Sequence, residues 1–138
     1  VRDDGVLLGD PGWEKLPGDD TPVISIRMGF QAGTGDTPDD YYVLLIDPET
    51  HRLRGCRYIV TYKDALPEGI EASPEHLLLY DGFVEVEGLL LPSHYSIYDE
   101  DNHLYATCDV RDWSLRKPFD EIRMSMPDGA VLDASSPR

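Results

Sequence analysis

Lysine is nearly missing from this chain. Only Lys15, Lys63 and Lys117 occur, and with the arginines they make 12 bases against 27 acids, a formal net charge of −15. A chain of that sign repels nucleic-acid phosphate and anionic membrane surfaces, so neither is expected as a partner. Cysteine is scarce too. Cys56 and Cys108 are too few for a disulfide framework, and each sits in an apolar-rich run, which predicts buried free thiols. No apolar run approaches the roughly 18 residues of a membrane-spanning helix. No signal peptide is seen from Val1 onward, and a trimmed or mature form is the expectation.

Chemical motifs are equally sparse. None of His51, His76, His94 and His103 stands close enough to another for a helical metal pair, and neither a zincin motif nor Cys–His zinc spacing appears. The acidic run Asp99–Asn102 looks superficially like a calcium loop. Counted from Asp99, however, the ligand and glycine positions fall on His103, Leu104 and Val110, which fails the EF-hand pattern. Asp36, Asp39 and Asp40 read as a solvated acidic loop before they read as a cation site. No G-x-S-x-G nucleophile elbow occurs, and Gly33-Thr34-Gly35 lacks the third glycine and the lysine of a phosphate loop. These absences predict no catalytic residue, no metal ligand set and no cofactor. With so many acids, a glycosidase-type carboxylate pair stays open, since it needs only two carboxyl groups at the right separation.

What is present is β-strand pattern. At 138 residues the chain fits one domain that needs neither disulfides nor metal to fold. The acids are spread along its whole length. At molar salt the Debye length is about 3 Å and their repulsion is screened, which favours adaptation to high salt. Residues 1–21 are rich in Gly, Pro and Asp and read as a loosely ordered N-terminal arm with a short strand near Val6. Residues 22–127 read as an antiparallel β domain, and 128–138 as a flexible tail.

Within the β domain, Pro22–Phe30 alternates. Val23, Ser25, Arg27 and Gly29 fall on one side and Ile24, Ile26, Met28 and Phe30 on the other, a half-buried strand with one wet side. Tyr41–Ile46 is a central strand. Asp47-Pro48-Glu49-Thr50 is a tight turn in which Asp accepts backbone N–H groups and Pro fixes φ, and Arg52–Tyr62 returns. The stretch 63–74 reads as a loop with a helical turn. Glu75–Val86 carries a bulge at Asp81-Gly82, Glu87-Gly88 turns the chain, and Ser93–Tyr98 and His103–Asp112 form a hairpin with Leu104, Ala106, Cys108 and Val110 inward. Phe119–Met126 is a last short strand. About seven short strands and no amphipathic helix predict a mainly β fold, an antiparallel meander curved into an open half-barrel. The tyrosines concentrate in these strands. Tyr58, Tyr62, Tyr80 and Tyr95 are candidate ligand-binding residues, with ordinary cross-strand packing as the competing reading.

The run from Gly35 to Tyr42, then Ile46-Asp47-Pro48-Glu49-Thr50, then Leu53 and Tyr58-x-Val60-Thr61-Tyr62, resembles a family of uncharacterised exported bacterial proteins. Its pattern is a G-D-[ST]-P-D-D-x-Y loop, an I-D-P-x-T turn and a V-T-Y strand end. Tyr80, Val86-Glu87-Gly88-Leu89, Leu91-Pro92, Phe119 and Met126-Pro127 resemble its later steps. The family looks related to the LolA-type lipoprotein carriers, whose fold is an unclosed antiparallel half-barrel around an apolar cavity. The resemblance implies export to the periplasm or a lipid anchor at the cell envelope, and a lipid or lipoprotein acyl chain as partner. It carries over no catalytic residue. The family's N-terminal helix and extra strands are matched here only by the short arm to Thr21.

Three functional readings follow. The first is a non-enzymatic module holding a lipid, acyl chain or apolar peptide on a concave sheet face. The second is a carboxylate-based hydrolase. The third is an interaction domain pairing through edge strands.

Overall fold

The computed structural model describes residues 4–34 and 37–116. The strand expected over 119–126 and the tail 128–138 lie outside the described residues. Eight strands form one antiparallel sheet: β1 (Val6–Leu8), β2 (Gly12–Leu16), β3 (Asp19–Phe30), β4 (Tyr42–Ile46), β5 (Leu53–Tyr58), β6 (His76–Val86), β7 (Leu89–Tyr98) and β8 (Leu104–Asp109). The order is β1-β3-β4-β5-β6-β7-β8, with β2 also on β3, and among the described residues no pairing joins β8 back to the first strands, so the described sheet is open. The expected helical turn is a 3-10 turn at Lys63–Ala65. No helix among the described residues is long and apolar enough to cross a membrane.

The connections follow from local chemistry. Between β4 and β5, Asp47 Oδ1 accepts the backbone N–H groups of Glu49 and Thr50 at 2.9 and 2.7 Å. The β6–β7 turn is Glu87-Gly88, both with positive φ (51° and 84°), the handedness that matches strand twist in a two-residue hairpin. Between β7 and β8, Asp99 Oδ1 accepts the N–H groups of Asp101 and His103 at 3.0 and 2.9 Å. The acidic loop before β4 is tied down by Asp40, which accepts from Thr61 N and Oγ1 at 2.7 and 2.6 Å and from Thr37 Oγ1 at 2.8 Å.

In the stretch read as a loosely ordered arm, the strand expected near Val6 is β1, and a further strand, β2, follows it; both run antiparallel to β3. Each is short, and its ladder partner is a long strand further along the chain. Tertiary pairing therefore overrides the Gly and Pro content. Gly18 (φ 73°) turns the chain between β2 and β3.

Register assigns two faces. On one lie Leu16, Glu14, Val23, Arg27, Val43, Leu45, Arg57, Leu77, Leu79, Ser96 and Tyr98. Leu16, Val23, Leu45, Leu77 and Leu79 are its buried cluster, with Val43 and Tyr98 packed against them. Val23, Leu45 and Leu77 are 0% exposed. This is the core face. It bends toward itself: Glu14 on β2 and Arg57 on β5 are three strand steps apart, about 14 Å in a flat sheet. Their side chains nonetheless meet at 2.6 Å.

Two expected placements change. Cys56 is buried, but Cys108 is exposed. On β8, Leu104 is 58% exposed rather than inward. Among the described strands β8 is paired on one side only, to β7, so its side chains gain little cover.

Candidate ligand-binding face

The opposite face carries Ile24, Ile26 and Met28 of β3, Tyr42, Leu44 and Ile46 of β4, Leu53, Cys56 and Tyr58 of β5, His76, Leu78 and Tyr80 of β6, and Tyr95 and Ile97 of β7. Of these only Cys56 is buried; Leu53 is exposed and the rest are half-buried. A row of rings crosses the strands. Phe30 meets Tyr42 edge-on at 6.3 Å, Tyr42 stacks with Tyr58 at 6.4 Å, and Tyr58 stacks with His76 at 5.8 Å. His76 in turn lies 6.1 Å from Tyr105. Tyr80 and Tyr95 meet edge-on at 5.4 Å. Tyr42↔Tyr58, Tyr58↔His76 and Tyr80↔Tyr95 are direct register partners, so the ladder itself builds the row. Such pairs add about 0.5–1.5 kcal/mol each beyond area burial.

Burial raises the phenols of Tyr42 and Tyr58 above their ordinary value, and nearby acidic groups add to it. Burial, then the neighbouring Cys56, pushes Tyr80 up to about 12. Burial likewise raises the Cys56 thiol. A thiol kept protonated is a poor nucleophile. The arrangement suits apolar contact rather than covalent chemistry.

Three of the four candidate tyrosines, Tyr58, Tyr80 and Tyr95, therefore share one face. Tyr62 does not join them. It lies past the end of β5, and its hydroxyl donates to Asp64 at 3.1 Å. There it helps line a cavity of about 270 Å3 with Thr37, Pro38, Asp39, Thr61 and Lys63. A larger hollow of about 780 Å3 shares Asp39, Thr61 and Lys63 with it. Tyr80 lines a third cavity, of about 410 Å3, at the far end of the aromatic face. Sequence reading passed over Phe30, Tyr42 and His76 as members of the row. The signal for Tyr42 was its hairpin position opposite Tyr58, and His76 was hidden by its polar class.

The core face has polar chemistry of its own. Arg57 Nε donates to Glu14 at 2.6 Å, and its guanidinium lies 3.7 Å from Glu75 and 3.4 Å from the side chain of Asn102. Tyr41 donates to Glu75 at 2.7 Å, and the Arg27 guanidinium stands 3.7 Å over the Tyr41 ring. Ser96 donates to Asp81. The inward-bending face is thus lined by the chain's own side chains.

The carboxylates whose affinity for protons departs from the ordinary move downward. Backbone N–H groups hold Asp19, Asp47 and Asp99 low, and His94 holds Asp109 low. For Asp40, burial pulls upward, but the hydrogen bonds from Thr61 and Thr37 outweigh it. A general acid of a hydrolase needs the opposite shift. Among the described residues no group of three or more His, Cys, Asp and Glu side chains converges as a metal site. Searches against family models, curated proteins and solved structures return no match.

Proposed function

We propose that this chain is a non-enzymatic binding module that holds a lipid, acyl chain or apolar peptide against the aromatic face of its sheet. One observation carries the reading. The alternating strands place Ile24, Ile26, Met28, Leu44, Ile46, Leu78 and Ile97 side by side around the ring row, and all seven are only half-buried. Contiguous apolar surface that the chain leaves incompletely covered supports an interaction site. The loop and turn pattern that resembles the exported bacterial family, and through it the LolA-type carriers, extends the reading to a protein of the cell envelope. Gentle purification followed by native mass spectrometry and organic extraction tests it. Co-purifying lipid, or uptake of an added acyl probe, is the expected result. A preparation free of lipid that takes up no acyl probe overturns it.

The charge supports a second, independent proposal about solvent. The protein is adapted to high salt, where a net charge of −15 is screened. Thermal melting should then rise steeply from dilute buffer to molar salt, and a flat profile rules the adaptation out.

A further inference from the structure

At one end of the aromatic face, residues of three strands border an open hollow of about 410 Å3. Its walls are Leu53, Tyr80, Phe83, Leu90 and Pro92, and one charged side chain, Arg52, stands among them. Register irregularities bring these residues together. The β4–β5 ladder slips between Leu45 and Ile46, which sets Leu53 opposite Ile46 on the aromatic face. The β6–β7 ladder slips on both sides of Gly82, which pairs Phe83 with Pro92. Bulges bend a strand and re-aim its side chains. The apolar walls are incompletely covered: Phe83 is 36% and Leu90 45% exposed.

Of the bases without an ion pair among the described residues, Arg52 is the one that lines this hollow. The chain has more than two acids per base, 27 to 12. Lys15, Arg54, Arg57, Arg111 and Arg116 each have a carboxylate oxygen within 3.8 Å, and Arg27 sits on the Tyr41 ring. Arg52 makes no ion pair among the described residues. Glu85, the register partner of Leu90, does not line the cavity. A guanidinium matches a carboxylate with two parallel N–H donors, and on so acidic a protein a local cation is what admits an anion.

We infer that this cavity takes the hydrocarbon chain of a fatty acid whose carboxylate rests on Arg52. The inference deepens the apolar-ligand reading and rests on it; it adds the anionic head group and the place where the ligand binds. No bond is made or broken. The apolar walls take the chain and Arg52 selects the acid.

Calorimetric titration with octanoate, decanoate and 1-octanol, on the wild-type chain and on Arg52→Gln, separates the parts. Arg52 is exposed, so its replacement leaves the fold intact. Octanoate is expected to bind wild type about tenfold more tightly than 1-octanol, and Arg52→Gln to remove that difference. Decanoate should bind roughly fifteenfold more tightly than octanoate, from two more buried methylenes. Ring resonances of Tyr80 and Phe83 should shift on titration. Equal binding of acid and alcohol, unchanged in Arg52→Gln, overturns the head-group assignment while the apolar face stands. Binding that leaves Tyr80 and Phe83 unshifted overturns the location. Binding of neither ligand overturns this inference and the apolar-ligand reading together.

Discussion

On β3, Val23, Ser25 and Arg27 point to one side of the sheet and Ile24, Ile26 and Met28 to the other. Val23 is 0% exposed, whereas the two isoleucines and the methionine are only half-buried. The side that carries a serine and an arginine is the core, and the uniformly apolar side is the one left partly open. The same inversion holds on β5, where Arg57 lies on the core face and Tyr58 on the aromatic one. Curvature explains it. The sheet bends toward the core face, and Arg57 stays there by pairing with Glu14 and Glu75 rather than by reaching water. Hydropathy marks a face as apolar. It does not mark it as the face that the chain covers for itself.

The sharpest way to break this distinction is to truncate the same residue type on each side. Leu45→Ala or Leu77→Ala, both from fully buried sites, should cost about 2–5 kcal/mol in urea unfolding. Leu44→Ala and Leu78→Ala, one residue along and half-buried, should cost less than half as much. Equal costs on the two sides would erase the assignment of core and open face.

Next in size is the ion pair that spans the bend. Arg57→Met keeps volume but leaves the Glu14 and Glu75 carboxylates without their cation, and should cost on the order of 1–3 kcal/mol. Adding Glu14→Gln should recover part of that loss. A double variant as unstable as the sum of the singles would show that the pair does not couple β2 to β5.

pH separates the faces by sign. Folding raises the proton affinity of Cys56, Tyr42, Tyr58 and Tyr80, so the stability they contribute is complete below their unfolded values and fades as pH rises through the folded ones. For Tyr80 that window runs from 10.0 to about 12. Folding lowers Asp40, Asp47, Asp99 and Asp109, so their contribution is present above the ordinary carboxylate value of 3.8 and is lost as pH falls through lower folded values. Alkaline loss of structure should therefore start on the aromatic face, and acid loss in the turns and at the His94–Asp109 contact. Residue-resolved spectra during both titrations check this; one common order of loss at both extremes would refute it.

The smallest stability effect is expected from the ring row. Tyr58→Leu should cost about 0.5–1.5 kcal/mol, because its stacking partners are only half-buried. Its effect on uptake of an acyl probe should be larger than its effect on melting. A variant that melts lower yet binds normally would make the row mere packing.

Much of the fold was legible because β chemistry is local. Period-two alternation marked the strands from Pro22 to Tyr98. Asp47 caps backbone N–H groups in its turn as expected, and Asp99 does the same in the β7–β8 loop, where the sequence pointed only to a hairpin. The Asp81-Gly82 bulge was visible as turn residues inside an apolar run. The short strand near Val6 was legible as β1, but β2 was not, because its stability comes from β3 and not from its own residues. The slip between Leu45 and Ile46 was hidden as well, and with it the side on which Leu53 stands. For the candidate site, the spacing of Tyr58 and Tyr80 pointed to a shared face once register was known. Tyr62 was misplaced with them because alternation was carried past the end of β5 at Tyr58.

The central claim is that the aromatic face, and not the core face, meets the ligand. Methyl-resolved NMR during titration with an acyl probe tests it directly. The account predicts shifts at Ile24, Ile26, Leu44, Leu78 and Ile97, with Val23, Leu45 and Leu77 unmoved. Saturable binding that shifts Val23, Leu45 and Leu77 instead would contradict it.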